Sequence, residues 1–542
     1  MRRVTLIVDN NPLIDMKNLD INYQLEKLIK IGVALSSEIN ANLLLEMIVQ
    51  GAKEITNADG GTLYRIYDNV IKMEIVHSDS LGIKLGGNSG QPVNMPDIPL
   101  YLADGSPNLK NVVSCSYHGN KTINIIDAYN DQAYDFSGTK AFDRQNNYRS
   151  KSFLAVPMKS HEGDTIGILQ LINSIDKTDN SVSGFDAVSQ HITEALASQA
   201  AIVLIKQRLI ADLENMFESL IQLIATAIDD KSPHTGGHCR RVPELTMMLA
   251  EAAHNTQQGY LKDFVMTDAD RYELKIAGWL HDCGKITTPE FVIDKATKLQ
   301  TIFDRITLIE TRFEVLKRDQ EIVMLKQQLL ALEKGEMPDA RIERRYFDAI
   351  AQINDDLAFI RRANTGGEFM APDDQERISA LNQKTWCLNG EVLPLLSDNE
   401  AYNLNIARGT LTTEERDIIN HHIVATIAML KKITFPKHLK NVPEYAGGHH
   451  EKMDGTGYPK GLCREDMSIQ ARTMAIADIF EALTAKDRPY KLGKKLSEAL
   501  LILKKMKENQ HIDPDLYDAF INHKVYKRYA EQFLDDYQND VD

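Results

Sequence analysis

Histidine and aspartate residues of the kind that bind metal ions recur through the second half of the chain. They form short clusters: His234 and His238, His281-Asp282, His421-His422, His449-His450, and Asp478. Imidazole nitrogens combined with carboxylate oxygens suit Fe, Mn, Ni, Co or Zn better than Ca or Mg. A lone histidine is more often a hydrogen-bonded core residue, but burying this many ionisable groups is costly unless a metal or a dense hydrogen-bond network compensates. The pattern therefore predicts a metal centre.

Amphipathic helices are the elements that must bring these side chains together. Apolar residues at helical spacing lead into His281 over 274–280, surround His422 over 414–430 and surround Asp478 over 469–483. Only four of the 15 histidines precede residue 200. The imidazole chemistry thus belongs to the second half, and the two halves are predicted to be different kinds of domain.

The first half has the mixed pattern of an α/β domain. Helical runs near 25–35 and 43–55 precede strand-like runs at 61–67, 73–77, 153–158 and 166–173, the last two joined by a turn at 161–164. This order, clearest over 153–173, resembles the GAF family of small-molecule sensor domains. The resemblance implies a small-molecule ligand of unknown identity, or a purely dimerising role.

Two ligand chemistries are open for this domain. Asn173 and Phe185 are similar to part of a motif found in GAF domains that bind cyclic nucleotides. Cys115 and His118 offer a chromophore site instead, although a single loop cysteine is more often just a small side chain.

A long helix is predicted between the two halves. Ten positions follow a 4-3 alternation and only Gln199 and Lys206 among them are polar: 196, 199, 203, 206, 210, 213, 217, 220, 224 and 227. Such a helix, about 54 Å long at ~1.5 Å per residue, predicts a stiff rod and a homodimer paired along a parallel seam. The alternative is a core helix of either domain.

The second half also carries an insertion. Two helical runs, 302–316 and 342–360, flank the breaker Gly335-Glu-Met-Pro338. They predict a helical hairpin inserted at about 300–408, with a structural or partner-binding role.

Five motifs of the second half carry a second resemblance. The segment 281–285, with His238 before it and Asp478 after it, resembles the HD superfamily of phosphohydrolases; 449–459 and 487–490 resemble its HD-GYP branch. The resemblance implies an all-α domain that hydrolyses the bacterial second messenger cyclic di-GMP to pGpG, and onward to GMP. It also implies two or three divalent transition metals, with Fe or Mn favoured over Ni, Co and Zn.

The fold class predicted for the whole chain is multidomain. An α/β GAF sensor domain is joined by a long coiled-coil-like helix to an all-α HD-GYP domain that carries the helical hairpin. The predicted boundaries are an N-terminal segment at 1–24, the GAF domain at 25–190, the linker helix at 191–230 and the HD-GYP domain at 231–542.

The metal ligands are carried over from the HD-GYP resemblance motif by motif. It assigns one metal to His238, His281, Asp282 and Asp478, and a second to His422, His449 and His450, with Asp282 as the bridge. His422 is preferred to His421 because 411–422 matches the family segment with the second histidine at the ligand position. His234 stands where three-metal members carry glutamate, so it is a candidate third-site ligand or a residue that supports the others.

Catalytic and substrate-binding residues follow from the same motifs. Two cations can activate a bridging water, so no nucleophilic side chain is needed. Asp282 is a catalytic candidate as the ligand that bridges the metals. Lys285 is expected to neutralise the attacked phosphate or to protonate the leaving group. Gly457 permits a tight loop, Tyr458 either stacks on guanine or packs structurally, and Arg488 and Lys491 are candidates for the second phosphate. This loop and the insertion are also candidate sites for protein partners.

Composition limits the class of protein. The 542 residues are 43% hydrophobic and 26% charged, which indicates several globular domains. The net charge of −15 argues against nucleic acid or membrane partners, whereas bound metals and Lys285 would still admit a small phosphodiester. The five cysteines are scattered, and neither an export signal nor a membrane span is evident. We therefore expect a cytoplasmic protein.

Three other activities compete with cyclic di-GMP hydrolysis. Cyclic GMP-AMP is an alternative substrate, because the motifs recognise phosphate and ring shape better than base identity. A signalling scaffold that binds nucleotide or protein without cutting is a second alternative, although every ligand position is filled. A hydrolase of nucleotide mono- or triphosphates is the third, but it would not require the His-His-Glu and Gly-Tyr-Pro motifs.

Overall fold

The computed structural model describes residues 26–34, 40–231, 237–366, 369–485 and 493–541. The chain divides into two compact units, Met1–Met216 and Phe217–Asp542. The predicted N-terminal segment 1–24 lies outside the described residues. Within the described ranges, no helix is both long enough and apolar enough to cross a membrane.

The first unit is built on an eight-stranded antiparallel sheet. Its strands are β1 (Ala58–Tyr67), β2 (Val70–Ser78), β3 (Ile83–Gly86), β4 (Ile98–Pro99), β5 (Ile123–Ile125), β6 (Phe153–Lys159), β7 (Thr165–Ile175) and β8 (Val182–Ser183). The order is β3-β2-β1-β7-β6-β5, with β4 paired to β2 and β8 to β7. The central β1–β7 pair, in which Leu63 lies opposite Leu169, joins the early strands to the late ones.

Helices pack against both faces of this sheet. They are α1 (Ala41–Thr56), α2 (Val112–Gly119) and the first part of α4 (Ala187–Lys231); the unit also contains α3 (Ser137–Asn146) and a helical stretch at 26–34. Leu63 packs with α1 and α4 in one apolar cluster, while its neighbour Tyr64 packs with α2 in another. This alternation is expected because successive strand residues point to opposite faces. The α/β fold predicted for the first half is confirmed.

Helix α4 runs for 45 residues across the boundary between the two units, which confirms the predicted long helix. The structure nevertheless divides the predicted seam. Leu196 is buried in the core of the first unit, Val203 packs against that core, and Phe217 packs against a core of the second unit. Part of the 4-3 pattern therefore faces the chain's own cores, and only the remaining positions are left for the predicted seam.

The second unit is mainly helical. Its helices are α5 (His238–His254), α6 (Asp268–Leu280), α7 (Glu290–Ile293), α8 (Ile306–Glu333), α9 (Ala340–Asn364), α10 (Pro372–Asn382), α11 (Asp398–Leu404), α12 (Thr413–Leu430), α13 (Val442–Gly447), α14 (Ile469–Thr484), α15 (Leu496–Glu508), α16 (Pro514–Asn522) and α17 (Val525–Phe533). Four 3-10 helices lie at Gly259–Asp263, Cys283–Thr287, Lys437–Leu439 and Arg464–Asp466. One apolar core joins α5 and α14 to α15–α17, and another joins the end of α4 to α6 and α13.

The insertion contains the predicted hairpin, formed by α8 and α9. Its first helix begins at Ile306, later than the apolar run suggested, and Ile302 is exposed. The insertion also contains α10, α11 and a two-stranded sheet of β9 (Thr385–Leu388) and β10 (Glu391–Pro394), which the sequence pattern does not predict. The four helices of the insertion share an apolar core that includes Ile309 and Phe313.

Candidate metal centre

Four of the predicted ligands lie together in the second unit. His238 is the first residue of α5, His281 and Asp282 follow the end of α6, and Asp478 lies within α14. One ligand atom from each lies within 4.8 Å of the others. The Nε2 atom of His238 is 3.0 Å from Asp282 Oδ2 and 3.3 Å from Asp478 Oδ1. We call these four residues the first group.

The other three predicted histidines form a second group. His422 lies in α12, and His449 and His450 follow α13; one nitrogen from each also lies within 4.8 Å of the others. The Nε2 atoms of His422 and His450 are 3.1 Å apart. Asp282 faces both groups, because its Oδ1 atom is 3.3 Å from His422 Nε2 while Oδ2 contacts the first group.

Helical geometry orients three of the five imidazoles. Nδ1 of His281, His422 and His449 lies 2.7, 2.5 and 2.8 Å, respectively, from the carbonyl oxygen three residues earlier. A hydrogen bond there keeps the proton on Nδ1 and leaves Nε2 free to bind metal. His238 begins its helix and has no such preceding turn, and its Nδ1 is instead 2.5 Å from Oε2 of Glu481.

Glu481 supports a ligand of the first group, and the sequence motifs did not indicate it. It is almost fully buried, and it also accepts a hydrogen bond of 2.8 Å from Arg241 Nε. Burial opposes its ionisation, but His238 and Arg241 outweigh burial and lower the pKa of Glu481 to about 2. The available signal was its position three residues after Asp478, one turn along the same helix.

A glycine allows the two groups to approach each other. A Cβ atom on Gly284 would lie 2.0 Å from the carbonyl oxygen of His422 and 2.6 Å from Thr426 N. The Gly284 amide donates a 2.9 Å hydrogen bond to Thr426 Oγ1. The 3-10 helix Cys283–Thr287 therefore rests directly on α12, and its Lys285 Nζ atom lies 2.5 Å from Asp282 Oδ2.

The electrostatics differ between the groups. Burial raises the pKa of a carboxyl, but Lys285 and the imidazoles outweigh it and hold the pKa of Asp282 well below its ordinary value. Burial likewise opposes a charge on His281, yet Asp282 and Asp478 raise its pKa to about 9. In the second group, burial lowers the pKa of His450 to about 4, so the imidazole stays neutral. Neutral imidazoles and ionised carboxylates are the forms that bind metal.

The predicted substrate loop packs against the second group. Tyr458 stacks on His450 with ring centroids 4.8 Å apart and an angle of 17° between the planes. A Cβ atom on Gly457 would lie 2.4 Å from the backbone nitrogen of Lys452, so a glycine is required there. Glu451, another residue without an assigned role in the sequence analysis, accepts hydrogen bonds of 2.8 and 3.0 Å from two loop amides.

The structure thus brings seven predicted ligands together, with Lys285, Gly457 and Tyr458 beside them. Three predicted site residues, His234, Arg488 and Lys491, lie outside the described residues.

The donor set fits divalent transition metals. Five imidazoles and two carboxylates are a nitrogen-rich set of intermediate softness. His449 Nε2 is buried, and no atom of the described residues hydrogen-bonds to it. A buried imidazole nitrogen without a partner is costly, and a metal ion would remove that cost.

Comparison with protein families identifies the two parts of the chain. A family model described as GAF domain matches residues 40–204, and one described as HD domain matches residues 397–516. The chain therefore contains a GAF domain followed by an HD domain, as the two resemblances predicted. The HD match includes the second group and Asp478, whereas the other three ligands precede it and are separated from it by the insertion.

Curated relatives match parts of the chain. The 3'3'-cGAMP-specific phosphodiesterase 3 of Vibrio cholerae serotype O1 is 39% identical over 113 residues, 20% of this chain and 23% of the relative. A cyclic di-GMP phosphodiesterase of Pseudomonas aeruginosa is 47% identical over 74 residues, 14% of this chain and 17% of the relative. The chain thus matches less than a quarter of the length of either relative.

Among solved structures, the GAF domain of an Acinetobacter phosphoenolpyruvate-protein phosphotransferase is similar. It is 14% identical with a TM-score of 0.26, and the alignment covers 35% of this chain and 98% of that one.

Proposed function

We propose that this chain is a metal-dependent phosphodiesterase that hydrolyses cyclic di-GMP to pGpG and onward to GMP. The observation that carries the proposal is the pair of ligand groups joined by Asp282. In this proposal the first group holds one divalent metal, Fe or Mn in preference to Ni, Co or Zn, and the second group holds another. His234 would serve a third metal or support the first group.

The residues around the metals have separate tasks. Bound metals would lower the pKa of a water molecule and stabilise charge on the phosphate oxygens. Asp282 would hold both sites at a fixed separation. Lys285 would neutralise charge on the attacked phosphate, or donate a proton from Nζ to the leaving oxygen. Gly457 and Tyr458 would border the substrate, and Arg488 and Lys491 would bind its second phosphate.

Cyclic GMP-AMP is the second candidate substrate, and the Vibrio cholerae relative named for that nucleotide favours it. Iron- and manganese-loaded protein should be assayed with cyclic di-GMP, cyclic GMP-AMP and cyclic di-AMP, with metal analysis on the same samples. Cleavage of one dinucleotide at least tenfold faster than the others would identify the substrate. Metal-loaded protein that binds a cyclic dinucleotide without cutting it would instead support the scaffold alternative.

Homodimerisation along α4 is the second part of the proposal. Ile202, Leu209, Met216 and Leu223 recur every seven residues and are 67%, 55%, 55% and 64% exposed. Leu213 and Leu220 interleave with them at 54% and 50% exposure. Heptad spacing of this kind suits a parallel pair of identical helices. Sedimentation should therefore show a dimer that L213E and L220E weaken, whereas V265E, at an exposed residue outside α4, should not.

Regulation by the GAF domain completes the proposal. An unidentified small molecule bound to that domain would alter the dimer and, through α4, the rate of hydrolysis. The Gly-Tyr-Pro loop and the insertion are proposed contact sites for protein partners. A cytoplasmic location is proposed because all five cysteines are free thiols.

A further inference from the structure

The last turn of α4 holds the segment that carries His238. Asp229, which is 7% exposed, accepts a 3.0 Å hydrogen bond from the amide of Gly237 through Oδ2 and a 3.2 Å bond from the amide of Cys239 through Oδ1. These amides flank His238 and lie at the start of α5, where helical amides lack partners within the helix. An ionised carboxylate is well suited to this position.

The same turn also holds the segment that follows Asp282. Lys231, the last residue of α4, donates from Nζ to the backbone oxygens of Lys285, Ile286 and Thr288 at 3.3, 2.5 and 2.7 Å. These oxygens close the 3-10 helix Cys283–Thr287. A cation there adds a donor to carbonyl groups at a helix end, of which that of Lys285 also accepts a 3.0 Å hydrogen bond from the amide of Thr288.

The two contacts address different parts of the metal centre. Asp229 binds the amides on either side of His238, a ligand of the first group. Lys231 binds carbonyl oxygens of the turn that places Lys285 next to Asp282. Both residues belong to one helical turn, so they must move together when α4 moves. Displacements of about 1 Å are enough to change catalytic rates up to a hundredfold.

We infer that Asp229 and Lys231 are positioning residues through which the state of α4 sets the placement of His238 and Lys285. The inference rests on the proposed function for the identity of the reaction, but it concerns contacts that can be tested without turnover. In these hydrogen bonds of the described residues, both side chains contact backbone groups near the ligands and not the ligating atoms themselves. Asp229 affects the affinity of the first group for metal, and Lys231 affects the alignment of Lys285 with Asp282.

The test compares full-length variants. D229N should lower the affinity of the first group for Mn²⁺ about tenfold and speed amide exchange over 237–242. K231M should lower kcat about tenfold with little change in KM or metal content, and it should speed amide exchange over 284–289. K231R should restore most of the lost rate, since it keeps the cation. If K231M does not fold, K231Q provides the same comparison with a weaker donor.

The matched control is E218Q, which removes another charge from α4, one that pairs with Lys275 at 3.4 Å. It should leave metal affinity, kcat and local amide exchange unchanged. Wild-type values of all three in both D229N and K231M would overturn the inference. If the wild-type protein cleaves no cyclic dinucleotide, the proposed function fails, yet metal affinity and amide exchange still decide whether these contacts position the centre.

Discussion

The Oδ1 atom of Asp282 lies 3.3 Å from Nε2 of His422, while its Oδ2 atom lies 3.0 Å from Nε2 of His238. One side chain thus connects two ligand groups whose members lie on both sides of the insertion in the chain. Because the carboxylate has two oxygens on opposite sides, it can serve two cations at once. Loss of this residue should therefore affect both groups.

Asp282→Ala should reduce bound metal to below one ion per chain and lower turnover on the order of a thousandfold or more. The reason is that both groups lose their shared anionic ligand. Metal analysis and a hydrolysis assay check the first two outcomes, and circular dichroism checks that the helices remain. A variant with full metal content and normal turnover would exclude the bridging role.

Glu481→Gln should weaken metal binding to the first group by about ten- to a hundredfold. The amide lacks the charge that holds His238 with Nε2 facing the metal. Titration with Mn²⁺, followed by electron paramagnetic resonance, measures the affinity independently of activity. Glu444→Gln is a suitable control, because within the described ranges the Glu444 carboxylate accepts hydrogen bonds from Ser468 at the start of α14 and from no other residue. Equal affinities for the two variants would count against the role of Glu481.

Gly284→Ala should destabilise the second unit by about 1 to 3 kcal/mol, or push apart its two ligand groups. Its new methyl would lie 2.0 Å from the backbone oxygen of His422. Thermal unfolding and metal content report the effect. Gly138→Ala, in α3 with no atom within 4 Å of the added carbon, should instead be neutral or slightly stabilising. The same result at both glycines would contradict the close approach.

Tyr458→Phe should retain most of the activity, whereas Tyr458→Ala should lose about tenfold or more in kcat/KM. The ring stacks on His450, so an aromatic residue without the hydroxyl preserves that contact. Steady-state kinetics of both variants measure the difference. A large loss in Tyr458→Phe would show that the hydroxyl, not the stacking, carries the role.

Lys298→Met should stabilise the protein at pH 7 by about 1 to 2 kcal/mol. Burial lowers the pKa of Lys298 to about 8 from an ordinary value of 10.5. The ammonium donates to the Leu404 carbonyl, and no carboxylate of the described residues forms an ion pair with it. Unfolding thus takes up a proton between pH 8 and 10.5 and becomes less favourable as pH rises through that window.

Urea unfolding of the wild type and Lys298→Met at several pH values tests this expectation. The advantage of the variant should be full below pH 8 and should disappear above pH 10.5. A difference that does not change with pH would assign the effect to packing.

The sequence alone determined the types of domain and the ligand residues to look for. Histidine and aspartate residues beside amphipathic helices predicted a metal centre, and the HD-GYP resemblance, motif by motif, implied the seven residues that form the two groups. The pattern was readable because a metal site needs particular side chains on elements with a regular period. The α/β pattern of the first half was equally readable, since strand and helix periods are local properties.

Only the tertiary structure decided which distant atoms meet. Glu481 reaches Nδ1 of His238, and Gly284 lies against the backbone of α12. The apolar stripe of α4 is split between residues that face the chain's own cores and residues that are exposed. The position of Glu481 one turn after Asp478 is visible in the sequence, but which atoms meet is not, because each of these contacts depends on how separate elements pack. The residue types of the centre are therefore visible in the sequence, but its orientation and its link to α4 come from the fold.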